Sequence, residues 1–503
     1  KHSDSSAASD VYKRQLITEM AIKDLQGAKP DNIDYQKNLP KLNLFTMFRL
    51  GFYQMGLGTM SVLTLGVLNR VMITELTIPA TIVAVTLSLY QFMAPARVWF
   101  GQMSDAKPLF GQHRTGYMWI GAILFAVTAF FAVQVMWQVG DSLKINGWTN
   151  PTYFWIGMLG LMFIIYGLAL SASSTPFAAL LVDISDEDNR SKVVGIVWSM
   201  LMVGIIIGAI TSSILLKQVG VDAPLDTVKT SVNSLFIKVP AIVLIFAFVA
   251  TVGVEQKYSR YSSRSTIANR EDKITLATTF KILRANRQTG LFFRFVFVLI
   301  ISLFLQDAVL EPYGGEIFLM PISETTKLNA VSGMGTLIGL GTTGFLVVPK
   351  LGKKNSLKVG CVATAISFIL IVISGFTREP SLLKIALFLY GLAAGLTTTA
   401  SLSLMLDLTA AETAGTFIGA WGLAQAMARG LSTVIGGAAL DVGRLLFDVP
   451  MLSYGLVFLL AGVGMIFSIF LLNKVNVREF QDNASIAITT ILEGELDLSL
   501  IHI

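Results

Sequence analysis

The feature that most constrains this chain is its succession of long apolar runs. A helix that crosses a bilayer needs about 20 mostly apolar residues. Twelve stretches qualify: 44–68, 78–100, 115–138, 153–177, 191–216, 234–254, 289–310, 326–348, 356–376, 381–405, 413–438 and 451–473. Lipid offers backbone N–H and C=O groups no partner, so runs of this length are read as helices and the chain as an all-α membrane protein. Of its 503 residues 53% are hydrophobic and 14% charged, against about 25% charged in soluble domains. The widest polar interruption, 255–288, leaves six runs on each side. The expected organisation is an N-terminal tail over 1–41, a six-helix bundle over 42–254, a basic cytoplasmic linker over 255–288, a second six-helix bundle over 289–473 and a C-terminal tail over 474–503. The extreme ends, "KHSDSSAASDVYKRQ" and "DLSLIHI", resemble translated sequencing-adaptor fragments. They are expected to be artefactual and are set aside.

The net charge of +6 is an orientation signal and does not point to nucleic acid. Alternate loops, the linker included, carry sixteen Lys and Arg on one side of the spans and nine on the other. The richer side is expected to face the cytoplasm or stroma, with both termini and the linker. The linker's basic residues can also meet anionic lipid headgroups. The single cysteine, Cys361, lies in an apolar run and excludes an intramolecular disulfide. Two of the three histidines, His2 and His502, sit at the chain ends, which leaves little imidazole for metal binding.

An internal repeat relates the halves. "LLVDISDEDNRSKVVG" (180–195) and "LMLDLTAAETAGTFIG" (404–419) share a layout in which Asp183 and Asp407 open a loop and Gly195 and Gly419 follow twelve residues later. Two six-helix pseudo-repeats in parallel orientation are the layout of the major facilitator fold. "GQMSDAKPLFGQHR" (101–114) resembles that superfamily's loop motif. The resemblance implies a conformational latch built from Gly101, Asp105, Lys107 and Arg114 with Asp183, Arg190 and Asp407. Gly101 would let helices approach, Asp105 would face an Arg or a helix N-terminus, and Lys107 and Arg114 would supply counter-charge. The second-half counterpart, "GFLVVPKLGKK" (344–354), has Val348 in place of the acid and is expected to be degenerate.

Charged groups inside a bilayer cost about 2.5–3.5 kcal/mol each at mid-helix and so mark sites or partners. "LFLQDAVLEPYGGEIF" (303–318) carries Gln306, Asp307 and Glu311. On one continuous helix the i, i+4 spacing would put both carboxylates on one face, about 6 Å apart, where they would share a proton. Pro312 and Gly314-Gly315 would then end the helix. "WGLAQAMARGLST" (421–433) supplies Gln425 and Arg429, and Arg429 is expected to pair with Asp307 or Glu311. "LGVLNRVMITELTIPA" (65–80) sets Asn69, Arg70 and Glu75 at the outer edge of the first span. In the second span lie Gln91, Pro95 and Arg97, with a kink expected at Pro95 and a snorkelling side chain at Arg97. The fourth span has no charge, and "IALFLYGLAAGLTTTASLSLML" (385–406) of the tenth has only Thr and Ser. The cavity they line is therefore expected to be apolar in its middle and polar at its outer rim.

"LNRVMITELTIPATIVAV" (68–85), "FGQMSDAKPLFGQHRTGYMWIGA" (100–122) and "IISLFLQDAVLEPYGGEIF" (300–318) closely resemble the PucC family, the bacteriochlorophyll-delivery branch of the major facilitator superfamily. The resemblance runs over about residues 42–475 and is nearer to cyanobacterial members than to those of purple bacteria. It implies a role in assembling light-harvesting or photosystem chlorophyll proteins, in the thylakoid or plasma membrane. The expected partners are membrane lipid, chlorophyll as cargo and chlorophyll-binding antenna or photosystem subunits, with no tightly bound cofactor. The pigment or substrate site is expected among Gln306, Asp307, Glu311, Asn69, Arg70, Glu75, Gln91, Gln425 and Arg429. The only internal histidine, His113, falls in a loop, so a pigment magnesium would take oxygen ligands from Gln306, Glu311, Asn69, Gln91 or Gln425, or water. No nucleophile–base pair, phosphate loop or metal cluster is apparent, and no enzymatic activity is expected. Two alternatives stay open: a proton-coupled carrier of a small solute, using Asp307 and Glu311, and an assembly scaffold that binds no pigment.

Overall fold

A computed structural model describes residues 42–185, 187–220, 223–259, 287–407 and 414–476, and within these not the side chains of 187–191, 287–289, 345, 406–407 and 414–420. Twelve helical rods account for most of these residues. We label them α1 (Leu44–Glu75), α2 (Ala80–Ala106), α3 (Thr115–Asn146), α4 (Asn150–Ile184), α5 (Glu187–Leu215), α6 (Leu225–Thr251), α7 (Arg287–Phe304), α8 (Ile322–Thr342), α9 (Lys353–Thr377), α10 (Pro380–Asp407), α11 (Ala414–Leu446) and α12 (Pro450–Lys474). Ten rods are long and apolar enough to cross a membrane. The two outside that set, α8 and α11, are covered by protein from both halves: α8 packs on α10 and α5, and α11 on α2 and α7. Among the described residues there is no β-strand, only an isolated bridge between Leu109 and Gln112 in the loop after α2.

Several rods are interrupted. α2 breaks at residues 93–95 between Ala80–Phe92 and Ala96–Ala106, as expected at Pro95, whose ring cannot continue the helix above it. α1 does not stop at residue 68. Two π-helical segments, Val62–Leu68 and Val71–Glu75, carry it on. Asn69 and Arg70 therefore lie within a helix and are buried, not on an open rim. α7 changes to a 3₁₀ turn over Leu305–Ala308, and a separate helix, Leu310–Phe318, follows. Pro312 falls in the first turn of that helix, where its missing N–H is tolerated. Gly314 and Gly315 are inside the helix and do not terminate it; it ends at Leu319, in the left-handed region at φ +53°.

The tightest packing in the second half joins α8 to α10. Gly335 and Gly339 on α8 face Gly391 and Gly395 on α10. A Cβ built at Gly335 would meet the Phe388 carbonyl oxygen at 2.3 Å, and one at Gly391 would meet the Ser332 carbonyl at 2.1 Å. Paired small residues four apart let two backbones touch where lipid gives no hydrophobic drive. Gly335→Ala and Gly391→Ala should each destabilise the fold by about 1–3 kcal/mol, the usual cost of overpacking. A control, Gly341→Ala, has open space around it and should be neutral. Thermal unfolding in mild detergent, followed by tryptophan fluorescence, checks this ranking.

Candidate functional site

The chain's two ends are distinguished by charge. The loop with Lys107 and Arg114 marks a basic end, and the Pro79 turn marks the far end. At the far end the two halves meet through a buried polar network. The Arg70 guanidinium donates to Thr325 Oγ1 at 2.9 Å, lies 3.8 Å from a Glu75 oxygen and packs on the bare backbone of Gly315. Glu311 interacts electrostatically with Arg70 and accepts a 2.5 Å hydrogen bond from Asn329 Nδ2. The backbone of Gly66 on α1 lies directly against it. Asn69 Nδ2 donates to the Ala308 carbonyl at 2.7 Å. On the same side, Asp441 of α11 accepts from the Ala80 and Thr81 amides at 3.0 and 2.7 Å. It thereby caps α2 across the interface, where a carboxylate also meets the positive helix end. Asn69, Arg70, Gln306 and Glu311 are only 1%, 3%, 4% and 2% exposed. They form a seal between the halves and, in this conformation, do not reach a ligand.

Asp307 and Glu311 do not share a helix face. The 3₁₀ turn breaks the α-helical register between them, so each meets a different cation. Glu311 turns to Arg70, whereas Asp307 accepts from Gln306 Nε2 at 2.5 Å and interacts electrostatically with Arg429. The expected pairing of Arg429 with Asp307 holds as an electrostatic relation but not as a close ion pair. The guanidinium instead lies over the Phe304 ring, 4.0 Å from its centroid, a cation–π arrangement.

Arg429 and Arg97 both keep accessible surface. Tyr90, Tyr53, Tyr390 and Phe304 stand beside them. Arg97 is exposed and interacts electrostatically with Arg429, Tyr90 and Tyr53. Gln91 donates to the Tyr90 hydroxyl at 2.8 Å, and Tyr390 donates to the Leu303 carbonyl at 2.7 Å. Gln425 is half-buried on α11, one turn from Arg429. The interior is thus not apolar in its middle. The middles of α4 and α10 bring no charge, as expected, but α2 brings Arg97 and α11 brings Arg429.

At the basic end, Arg114 bridges Asp105 at 2.5 Å and Asp183 at 2.9 Å and donates to Ser104 Oγ at 2.7 Å. Burial works against the Arg114 charge, but Asp183 and then Asp105 raise its pKa above the usual arginine range. These described bonds tie α2, α3 and α4 of one half together. Gly101 is not forced by close packing, since a Cβ there would sit 3.5 Å from Thr175, an ordinary contact. The Lys107 carbonyl accepts from Tyr117 at 2.9 Å. The side chains of Arg190 and Asp407 lie outside the described residues. A group that sequence reading missed completes the cluster. Glu255, in the short helix Val254–Tyr258, accepts from the amides of His113, Arg114 and Thr115 and from the Thr115 hydroxyl, at 2.7–3.1 Å. Nothing in a lone Glu at the head of a basic linker signals a cap on a helix 140 residues earlier.

Comparison with known proteins fixes the lineage. The family model described as PUCC protein matches residues 67–480. The chain belongs to the PUCC family. "Protein PucC" of Rhodobacter capsulatus is 28% identical over 407 residues, covering 79% of this chain and 84% of that protein. The "Bacteriochlorophyll synthase 44.5 kDa chain" of the same species is 28% identical over 422 residues, covering 83% and 92%. Among solved structures, the nucleoside transporter NupG superposes with a TM-score of 0.61 at 16% identity, covering 86% of this chain and 99% of that one. A xylose transporter, XylE from E. coli, gives 0.57 at 14%, covering 84% and 95%. These likenesses establish the major facilitator fold for this PUCC-family chain.

Removing Arg70 would leave Glu311 and Glu75 without their cation. Arg70→Ala should cost about 3–5 kcal/mol, the penalty for orphaning a buried charge. Adding Glu311→Gln removes one stranded carboxylate and should restore part of that loss. A double-mutant cycle by thermal unfolding in detergent decides. A double variant no more stable than Arg70→Ala would rule Glu311 out as the partner.

Proposed function

We propose that this PUCC-family protein is an integral membrane assembly factor that handles chlorophyll-type pigment for light-harvesting or photosystem proteins. The observation that carries this reading is the family match over residues 67–480, joined to relatives whose names include PucC and a bacteriochlorophyll synthase chain. The fold supports it, because major facilitator proteins hold a ligand between two halves. Tyr90 and Phe304, both half-buried beside the interior arginines, offer aromatic surface that suits a flat conjugated ring. Of the oxygen donors considered for a pigment magnesium, Gln91 and Gln425 keep accessible surface, while Asn69, Gln306 and Glu311 are in the seal. The protein would pass pigment on without covalent chemistry. Its setting would be the thylakoid or plasma membrane of a photosynthetic cell, with the basic end on the cytoplasmic or stromal side. Its protein partners would be nascent chlorophyll-binding antenna or photosystem subunits.

The test is a visible absorption spectrum of tagged protein purified in mild detergent from a chlorophyll-making host. Near-stoichiometric chlorophyll is the expected result. Intact protein that brings down antenna or photosystem subunits but no pigment would overturn pigment handling in favour of a scaffold. Intact protein with neither, but with proton-driven solute uptake in vesicles, would favour a small-solute carrier.

A further inference from the structure

In the second half, α8 and α9 both pack on α10 and make little contact with each other. A groove is left between them, with α10 as its floor. Its volume is about 380 Å³, within the range of ~300–1,000 Å³ usual for ligand sites. Small residues keep it open: Ala363 on the α9 wall and Ala393 on the floor project only a methyl group. On the other wall, α8 leaves the α-helical path over Thr343–Val347, a π segment. Both end residues of that segment line the groove. Such π turns are rare and concentrate at functional sites.

The lining decides what can sit there. Its three hydroxyls are turned back onto their own helices. Thr342 donates to the Ile338 carbonyl at 2.8 Å, Thr343 to Gly339 at 2.6 Å and Ser367 to Ala363 at 2.8 Å. Every other lining side chain is aliphatic. The groove therefore offers no donor to a polar headgroup and no aromatic face to a conjugated ring. It suits hydrocarbon alone. Ile366 on the wall and Leu389 on the floor are 52% and 40% exposed, in rods of membrane length, so the groove opens to the bilayer. It runs along the helices, and Gly339–Val347 spans about 12 Å at 1.5 Å per residue. That is the direction in which an acyl chain lies.

Charge stands at one mouth of the groove. α8 starts in the far-end seal, at Thr325, so its other end is at the basic end. Three residues past Val347 comes Lys350, which is exposed, and Lys353 and Lys354 follow at the start of α9. Lys354 is held there by donating to the Val475 carbonyl at 2.9 Å. Basic groups beside a groove between membrane helices meet anionic headgroups.

We infer that the groove between α8, α9 and α10 seats one acyl chain of an anionic glycerophospholipid, whose phosphate is met by Lys350. Lipid gives no hydrophobic drive for this, so the preference over bulk lipid comes from close packing and headgroup charge. The site is separate from any pigment site and does not depend on one.

The experiment is native mass spectrometry of the purified full chain in neutral detergent, titrated with dioleoyl phosphatidylglycerol or dioleoyl phosphatidylcholine. The variants are Lys350→Gln, Ala363→Phe to fill the groove, and a control, Lys107→Gln, exposed at the same end in the other half. Each is checked for an unchanged melting temperature before lipid is added. If Ala363→Phe is unstable, Thr342→Phe, on the exposed part of the opposite wall, replaces it. The expected result is one retained phosphatidylglycerol, bound about fivefold tighter than phosphatidylcholine, the factor that one lysine at a membrane surface supplies toward an anionic lipid. Lys350→Gln should abolish that preference, the groove-filling variant should abolish retention, and Lys107→Gln should change neither. Equal retention of the two lipids, or the same loss in Lys107→Gln, would show general surface attraction and overturn the inference. Retention that survives filling the groove would place the lipid elsewhere and also overturn it. Stoichiometric displacement by chlorophyll a, still blocked by Ala363→Phe, would give the groove to an isoprenoid tail instead.

Discussion

The contact between the two halves is organised around one buried guanidinium. Arg70 is buried in a membrane-length helix, where an uncompensated charge would be prohibitive. Everything near it answers that cost. Glu75 and Glu311 supply negative charge, Thr325 accepts a hydrogen bond, and Gly315 leaves room for the planar group. Thr325 and Glu311 belong to the opposite half, so satisfying Arg70 requires that the halves meet at the far end. Asn69 and Asp441 reinforce the same closure by bonding backbone groups across it. The bare backbone at Gly66, facing Glu311, fits the same logic, because a side chain there would push the carboxylate away.

The basic end is held by different means. There Arg114, Asp105, Asp183 and Glu255 bind α2, α3, α4 and the end of α6 into one block. Glu255 satisfies two of the amides that helix geometry leaves unpaired at the start of α3, Arg114 and Thr115, and the His113 amide before them. Among the described residues, these charges bind elements of one half, whereas charge at the far end joins two.

Long periodic features were legible in the sequence, and features that depend on a break in periodicity were not. The apolar runs gave the twelve rods because bilayer thickness dictates their length. Pro95 announced its own interruption, since proline's effect is covalent and local. The relation of Asp307 to Glu311 was misread because the i, i+4 rule assumes one unbroken α-helix, and no residue in "LFLQDAVLEP" signals the 3₁₀ turn. Asn69 and Arg70 were placed on a rim because a polar cluster after an apolar run resembles a helix end. The π segments that continue α1 depend on what packs against it. The electrostatic relation of Arg97 to Arg429 is a property of how α2 meets α11, which a single chain does not encode locally. Asp441 and Glu255 were missed for the same reason: each caps a helix start far away in sequence.

The break in α7 gives the fold its internal logic. Asp307 faces the cavity and Arg429; Glu311, a few residues on, faces the seal and Arg70. The segment between them is held at both ends, by Gln306 against Tyr390 at 3.4 Å and by Tyr313, whose hydroxyl donates to the Ile371 carbonyl at 2.8 Å. Asn69 of the opposite half grips its middle through the Ala308 carbonyl. A 3₁₀ turn has poorer hydrogen-bond geometry than an α-helix and is more easily remodelled. Any group that changes the position of Asp307 must therefore act on the same short segment that closes the far end. A continuous helix would place both carboxylates on one face and could not separate these two roles.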